Sequence, residues 1–131
     1  MSDNKTAETR KELLRRLFIA NNLVQEDVFK HKFYTIITRQ GIDKIMAANK
    51  IQIKYVTEKI SDDHKYVIMK GFGKMGDEII EDYGESSPAN NSNAYPVAMA
   101  MKRAKSRIVL SLAGFYAQGF FGEDESDDFK R

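Results

Sequence analysis

The chain contains no cysteine. That excludes a disulfide framework, a thiolate metal site and a cysteine nucleophile. Histidine is scarce, with only His31 and His64, so a histidine-rich zinc centre is excluded as well. No apolar run approaches the ~18–20 residues that a membrane span needs. The opening residues, Met1-Ser2-Asp3-Asn4-Lys5, hold no apolar signal region. The expectation is a reducing, cytoplasmic setting without membrane contact. A large excess of one charge is missing too: 21 Lys and Arg stand against 19 Asp and Glu, a net +2 over 131 residues. Any surface for acidic partners must therefore come from segregating the two signs along the chain, not from bulk charge.

What is present is one domain's worth of globular composition, 42% hydrophobic and 31% charged, enough for one modest core. The expected organisation is a single domain over residues 1–131, with an N-terminal helix and connector (1–32), a core (33–121) and an acidic tail (122–131). Residues 6–20 are helical by period. Leu13, Leu14, Leu17 and Phe18 recur at three- and four-residue spacing, and Thr9 with Glu12 fits a capping box, with Thr6 as an alternative start. Asn21-Asn22 ends this helix, and residues 23–32 read as a connector. Residues 33–37 are β-branched and aromatic, hence a strand. Thr38 can cap a short helix whose stripe is Ile42, Ile45 and Met46. Residues 51–57 alternate as a half-buried strand. After a turn at residues 61–65, residues 66–72 form its hairpin partner, punctuated at the end by Gly71, Gly73 and Gly76, and residues 78–83 make a third strand. Residues 84–93 read as a polar loop. Pro96 opens a helix that Gly114 closes, and the tail after Gly122 reads as loosely ordered. The predicted class is α+β: an N-terminal helix, then β-α-β-β-β-α, an antiparallel meander packed on a long C-terminal helix.

Charge is segregated along this frame. Between Tyr95 and Gln118 there is no acid, while Lys102, Arg103, Lys105 and Arg107 fall in the helix. Residues 122–129 carry five acids and no base. On a wheel of about 100° per residue, Val97, Ala100, Met101, Ala104, Ile108, Ser111 and Leu112 share one side. Arg103 and Arg107 lie one turn apart on one flank, and Lys102 and Lys105 lie towards the other. The arginine pair reads either as a phosphate-contacting flank or as a tie to Glu78, Glu81 or Asp82 that holds helix to sheet. The hairpin adds Lys50, Lys54, Lys59, Lys65, Lys70 and Lys74 among Tyr55, Tyr66 and Phe72. Cations that track phosphates beside rings that stack bases suit single-stranded nucleic acid; the competing reading puts Tyr55 and Phe72 in the core. Candidate contacts are therefore Lys50, Lys54, Tyr55, Lys70, Lys74, Lys102, Arg103, Lys105 and Arg107.

Catalytic patterns do not assemble. A restriction-type nuclease needs a carboxylate two positions before Lys70, and that place is Ile68. Asp77, Glu78, Glu81 and Asp82 lack the spacing and glycine of a calcium loop. Gly71, Gly73 and Gly76 do not form a phosphate-binding loop, and neither histidine sits in an acyl-transfer motif. A carboxylate-metal nuclease centred on Asp77, Glu78 and Glu81 is the remaining enzymatic alternative. The expectation is no catalysis, no cofactor and no metal.

The run from Tyr95 to Leu110, with Ala100, Arg103, Ala104 and Arg107 in an Ala-x-x-Arg-Ala-x-x-Arg-like order, then Gly114 and Gly122-Glu123-Asp124-Glu125, resembles the end of the annealing core in phage-type single-strand annealing proteins. By fold these go with the eukaryotic mediator that anneals strands in double-strand-break repair. Residues 33–45 resemble the strand and short helix that open that core. The resemblance implies a phage- or prophage-encoded protein of recombination, repair or replication. It would bind and anneal single-stranded DNA as a homo-oligomeric ring or filament, with no cofactor. The N-terminal helix would be free to pack on a neighbour. In composition, residues 123–129 resemble the acidic tails through which single-strand binding proteins recruit partners, and the runner-up is an assembly module using that tail.

Overall fold

The computed structural model describes residues 8–89 and 95–128. Helix α1 is Arg10–Ala20. The Thr9 hydroxyl accepts from the Glu12 N–H, and the Glu12 carboxylate accepts from the Thr9 N–H, a reciprocal cap. The alternative start at Thr6 lies outside the described residues. Asn21 and Asn49 end α1 and the second helix, α2 (Arg39–Ala48). The two stop residues also bind each other, Asn49 Nδ2 donating to Asn21 Oδ1 at 2.6 Å. At the start of α2, the Thr38 hydroxyl caps the Gly41 N–H, as its sequence position predicts.

The connector expected over residues 23–32 is more structured than its sequence suggests. A 3-10 turn at Gln25–Asp27 leads into strand β1 (Val28–His31), which pairs antiparallel with β2 (Tyr34–Ile37). Asp27 anchors this turn. Its buried carboxylate accepts from the Val24 N–H and from Lys44 Nζ at 2.7 Å.

Three long strands, β3 (Gln52–Ile60), β4 (Val67–Met75) and β5 (Glu78–Ser86), form an antiparallel meander. Two expectations are corrected here. Gly71 and Gly73 lie inside β4, and β5 extends through Gly84 to Ser86, so the expected polar loop begins later; residues 90–94 lie outside the described set. The reason is helix α3 (Pro96–Leu112). It lies so close to the sheet that side chains on these glycines would collide with it: a Cβ on Gly73 would sit 2.1 Å from Ile108 Cγ2. Pro96 occupies the first turn of α3, and Gly114 follows its end at φ +85°, where glycine alone is unstrained.

The C-terminal segment is the largest departure. Strand β6 (Phe120–Gly122) pairs parallel with β2, and a 3-10 turn follows at Glu123–Asp128. These residues are docked, not loosely ordered. Helix α3 packs against β4 and β5 and also against β6, the turn behind it and α2. It is a central helix, buried on more than one side. The main core joins Ile37, Ile42, Ile45, Ile108, Leu110 and Phe115, with Leu14, Leu17 and Phe18 of α1 packed against it. The apolar stripe expected to be available to a neighbouring subunit thus docks on its own domain. Among the described residues, no helix is long and apolar enough to cross a membrane.

Candidate functional site

Strand register sorts the meander into two faces. Ile53, Gly71, Gly73, Val67, Met69 and Gly84 face α3. Tyr55 belongs to this side: it is half-buried and packs with Val67, Met69 and Ala100. The structure therefore places it with the core, against its expected role as a contact.

The opposite face carries Lys54 paired with Phe72, Val56 with Lys70, Gln52 with Lys74, and Lys59 with Ile68. On β5 it continues with Tyr83 opposite Lys70, Glu81 opposite Phe72 and Ile79 opposite Lys74. This face is open. Val56, Ile68, Ile79 and Tyr83 are all exposed, Ile79 to 64%. Lys70 sits at its centre, with Nζ 5.3 Å from the Phe72 ring centroid, 5.7 Å from that of Tyr83 and 2.9 Å from Glu81 Oε1. The hydrogen bond to Glu81 raises the Lys70 pKa. The open face thus gathers Lys54, Lys59, Lys70 and Lys74, with Phe72 and Tyr83 between them. Three of these, Lys54, Lys70 and Lys74, were read from the sequence as contacts. Tyr83 was not, because a strand's open face is visible only once its register is known.

The helical cations part company with this face. Lys102 is exposed on α3. Lys105 Nζ binds Asp43 on α2. Lys50 is exposed just before β3, in a left-handed turn at φ +53°. Arg103 is only 2% exposed. Its Nε donates to the Asp124 carbonyl at 3.0 Å and its Nη1 to the Glu85 carbonyl at 2.9 Å. Arg107 donates to the Tyr83 carbonyl and, in a two-pronged fork, to both Glu85 carboxylate oxygens at 2.8 and 3.0 Å. Its Nε reaches Glu125 Oε1 at 3.0 Å. The two guanidinium groups thus satisfy carbonyls on the outer edge of β5, which would otherwise be open to strand addition. The phosphate-contacting flank read from the wheel is corrected on this geometry: the pair ties helix to sheet, and the partners are Tyr83, Glu85, Asp124 and Glu125 in place of the expected Glu78, Glu81 or Asp82. A wheel with one buried side fails because β6 and the turn behind it cover this flank.

Glu123, Asp124 and Glu125 are engaged beside the same arginines. Glu123 accepts from the Arg39 N–H, and Asp124 accepts from Arg39 Nε at 2.6 Å. Glu125 accepts from Arg107, from the Tyr116 hydroxyl and from the Gly122 N–H. Burial, reinforced by Glu125, pushes the Tyr116 hydroxyl above its ordinary range. Residues 123–125 therefore do not form a free acidic tail, and Phe129 lies outside the described residues.

Acid should unlock this arrangement. The Arg107 hydrogen bonds hold the Glu85 carboxyl below its ordinary value against the opposing effect of burial. For Asp27, burial raises the pKa, but the hydrogen bonds from Lys44 and the Val24 N–H outweigh it and leave a net lowering. A carboxyl with a depressed folded pKa stabilises fully above its unfolded value, and the stabilisation is lost as pH falls through the folded one. Melting temperature should thus hold steady above about pH 4.5, the ordinary Glu value, and fall below it. A Glu85→Gln variant should show a smaller acid-induced fall, because it has no carboxyl to protonate there.

Among the described residues, no group of three or more His, Asp or Glu is placed to hold a metal ion. Comparison with protein-family models, with curated proteins and with solved structures returned no match.

Proposed function

We propose that the protein binds single-stranded DNA without catalysis, on the open face of the β3–β4–β5 meander. The observation that supports this reading is the cluster on that face: Lys70 over the rings of Phe72 and Tyr83, with Lys54, Lys59 and Lys74 around it. Cations follow a phosphate backbone regardless of sequence, and rings accept any base by its π-face. The face is a sheet surface without a deep pocket of polar donors, which suits an extended strand better than a small substrate. Two acids of β5 share its parity, Glu81 opposite Phe72 and Glu85 opposite Ile68; Glu81 is paired with Lys70 and Glu85 with Arg107.

The resemblance of the α3 sequence to phage annealing proteins extends the proposal to strand annealing in recombination, repair or replication. It also extends it to ring or filament assembly and to the bacterial cytoplasm as the place of action. Light scattering with and without single-stranded DNA reads the assembly part directly; a 15 kDa particle in both cases would reject it.

The binding part is tested on two surface variants. Tyr83→Ala should weaken single-strand binding about tenfold, within the ~1–3 kcal/mol that one base–ring stack contributes. Lys54→Gln combined with Lys74→Gln should weaken it and flatten the dependence of log K on log salt by about 1.4, two phosphate contacts at roughly 0.7 each. Both variants should melt close to the wild type, since the changed side chains are exposed. Wild-type affinity in both, measured by fluorescence anisotropy, would remove the open face as the binding surface.

A further inference from the structure

We propose that Phe33, at the tip of the β1–β2 hairpin, is a second base-stacking element that inserts against an unstacked nucleobase of a bound single strand. The proposal rests on the single-strand reading above and assigns it a site away from the open sheet face.

Phe33 is 98% exposed, more than any other large apolar side chain described. It occupies a two-residue turn with Lys32, between His31 and Tyr34, which pair across the hairpin. Such turns favour Asn or Gly, which tolerate positive φ and are at ease in water. Here Lys32 takes the positive φ, +57°, and the next position presents a ring. Lys32 thus carries the backbone strain, and Phe33 exposes a large ring at a position where a polar residue is at ease in water.

The tip is mounted firmly. Tyr34, the next residue, meets Phe121 edge-on with centroids 5.4 Å apart. Strand β2 is the middle strand of its sheet, and its Ile36 and Ile37 are fully buried. The backbone that carries the ring is thus fixed, and stacking orders only the side-chain torsions of Phe33.

The chemistry around the ring selects the partner. Between Asp27 and Asp43 the chain carries no acid, and Lys30 and Lys32 lie within three residues of Phe33. An exposed ring on a hairpin without acids, with the exposed Lys30 on its first strand, matches a polyanion that also offers π-faces, and apolar wedges of this kind are used to separate bases from their neighbours. A docking knob for an apolar protein groove would more naturally carry apolar neighbours at the tip.

The chain has no tryptophan, so Phe33→Trp introduces a single reporter at the tip. Oligothymidylate is titrated into this full-length variant while indole emission is read, and in parallel the anisotropy of the fluorescein-labelled oligonucleotide is followed. The proposal expects strong quenching that saturates at the same concentration as the anisotropy rise. Phe33→Ala should bind about tenfold more weakly with an unchanged melting temperature. An anisotropy rise with constant emission overturns the tip contact and leaves the open-face reading standing. No anisotropy rise even with the wild type overturns both. A blue shift that tracks protein concentration without DNA shows the tip seated in a second copy. A blue shift with phosphatidylserine vesicles, without quenching by oligothymidylate, shows a lipid contact. Either of these last two results also overturns the proposal.

Discussion

Gly84→Ala should destabilise the protein by about 3 kcal/mol or more, the upper end of what overpacking costs, and lower the melting temperature by roughly ten degrees. The added Cβ would stand 1.9 Å from the Ala100 carbonyl oxygen and 2.5 Å from the Ala104 nitrogen. Both are backbone atoms of α3, so no side-chain rotation relieves the clash. The helix must move off the sheet, and moving it disturbs the Arg103 and Arg107 contacts to β5 as well. At Gly71 the same change meets the Cδ1 end of Ile108, a flexible contact, and should cost less. Thermal unfolding of the two variants side by side checks the ranking. Equal losses would mean that α3 is not held as closely to β5 as this geometry requires.

The second large effect concerns the arginines. Arg107→Ala removes a guanidinium whose side chain is 20% exposed and leaves Glu85 and Glu125 facing each other without their shared cation. Breaking a buried pair costs about 3–5 kcal/mol. Glu85 is nearly half exposed, so water screens part of the loss and the low end, about 3 kcal/mol, is the expectation. Arg103→Ala strands two carbonyls, those of Glu85 and Asp124, at about 1–3 kcal/mol for a buried acceptor left unsatisfied. The two sites share Glu85, so the double variant should not be the sum of the singles. Single-strand affinity per folded molecule should be unchanged in both, because neither guanidinium belongs to the open face. Truncation after Phe121 should resemble Arg107→Ala in stability, since it removes Asp124 and Glu125 from the same network. Variants that keep the melting temperature and lose DNA would restore the arginine flank as a phosphate site.

Much of the frame was readable residue by residue. Thr9 with Glu12, Thr38, Pro96 and Gly114 carry local chemistry that acts within one turn of a helix, and each sits where that chemistry places it. The α+β order and the antiparallel meander followed from alternation and turn residues. What was hidden depends on partners far along the chain. Strand β1 has no clean alternation of its own, and it exists because β2 pairs with it. Gly71 and Gly73 look like strand-ending residues until Ile108 is laid over them. Asp124 and Glu125 look like part of a solvated end until Arg39, Arg103 and Arg107 converge on them. For the candidate site, Lys54, Lys70 and Lys74 were legible as cations on a hairpin. That Tyr83 joins them and Tyr55 does not is a matter of register, and a one-residue slip exchanges the faces.

The central claim is that single-stranded DNA is held through its phosphates and bases on the open face of the meander. Its most direct measurement is fluorescence anisotropy of the wild-type protein with a labelled single strand and a labelled duplex over a series of salt concentrations. The account predicts tighter binding to the single strand, with log K falling against log salt at a slope of about −2 to −3, as three or four lysine–phosphate contacts at roughly 0.7 each require. Absence of single-strand binding by folded protein at ~50 mM salt, where such contacts are strong, would contradict it.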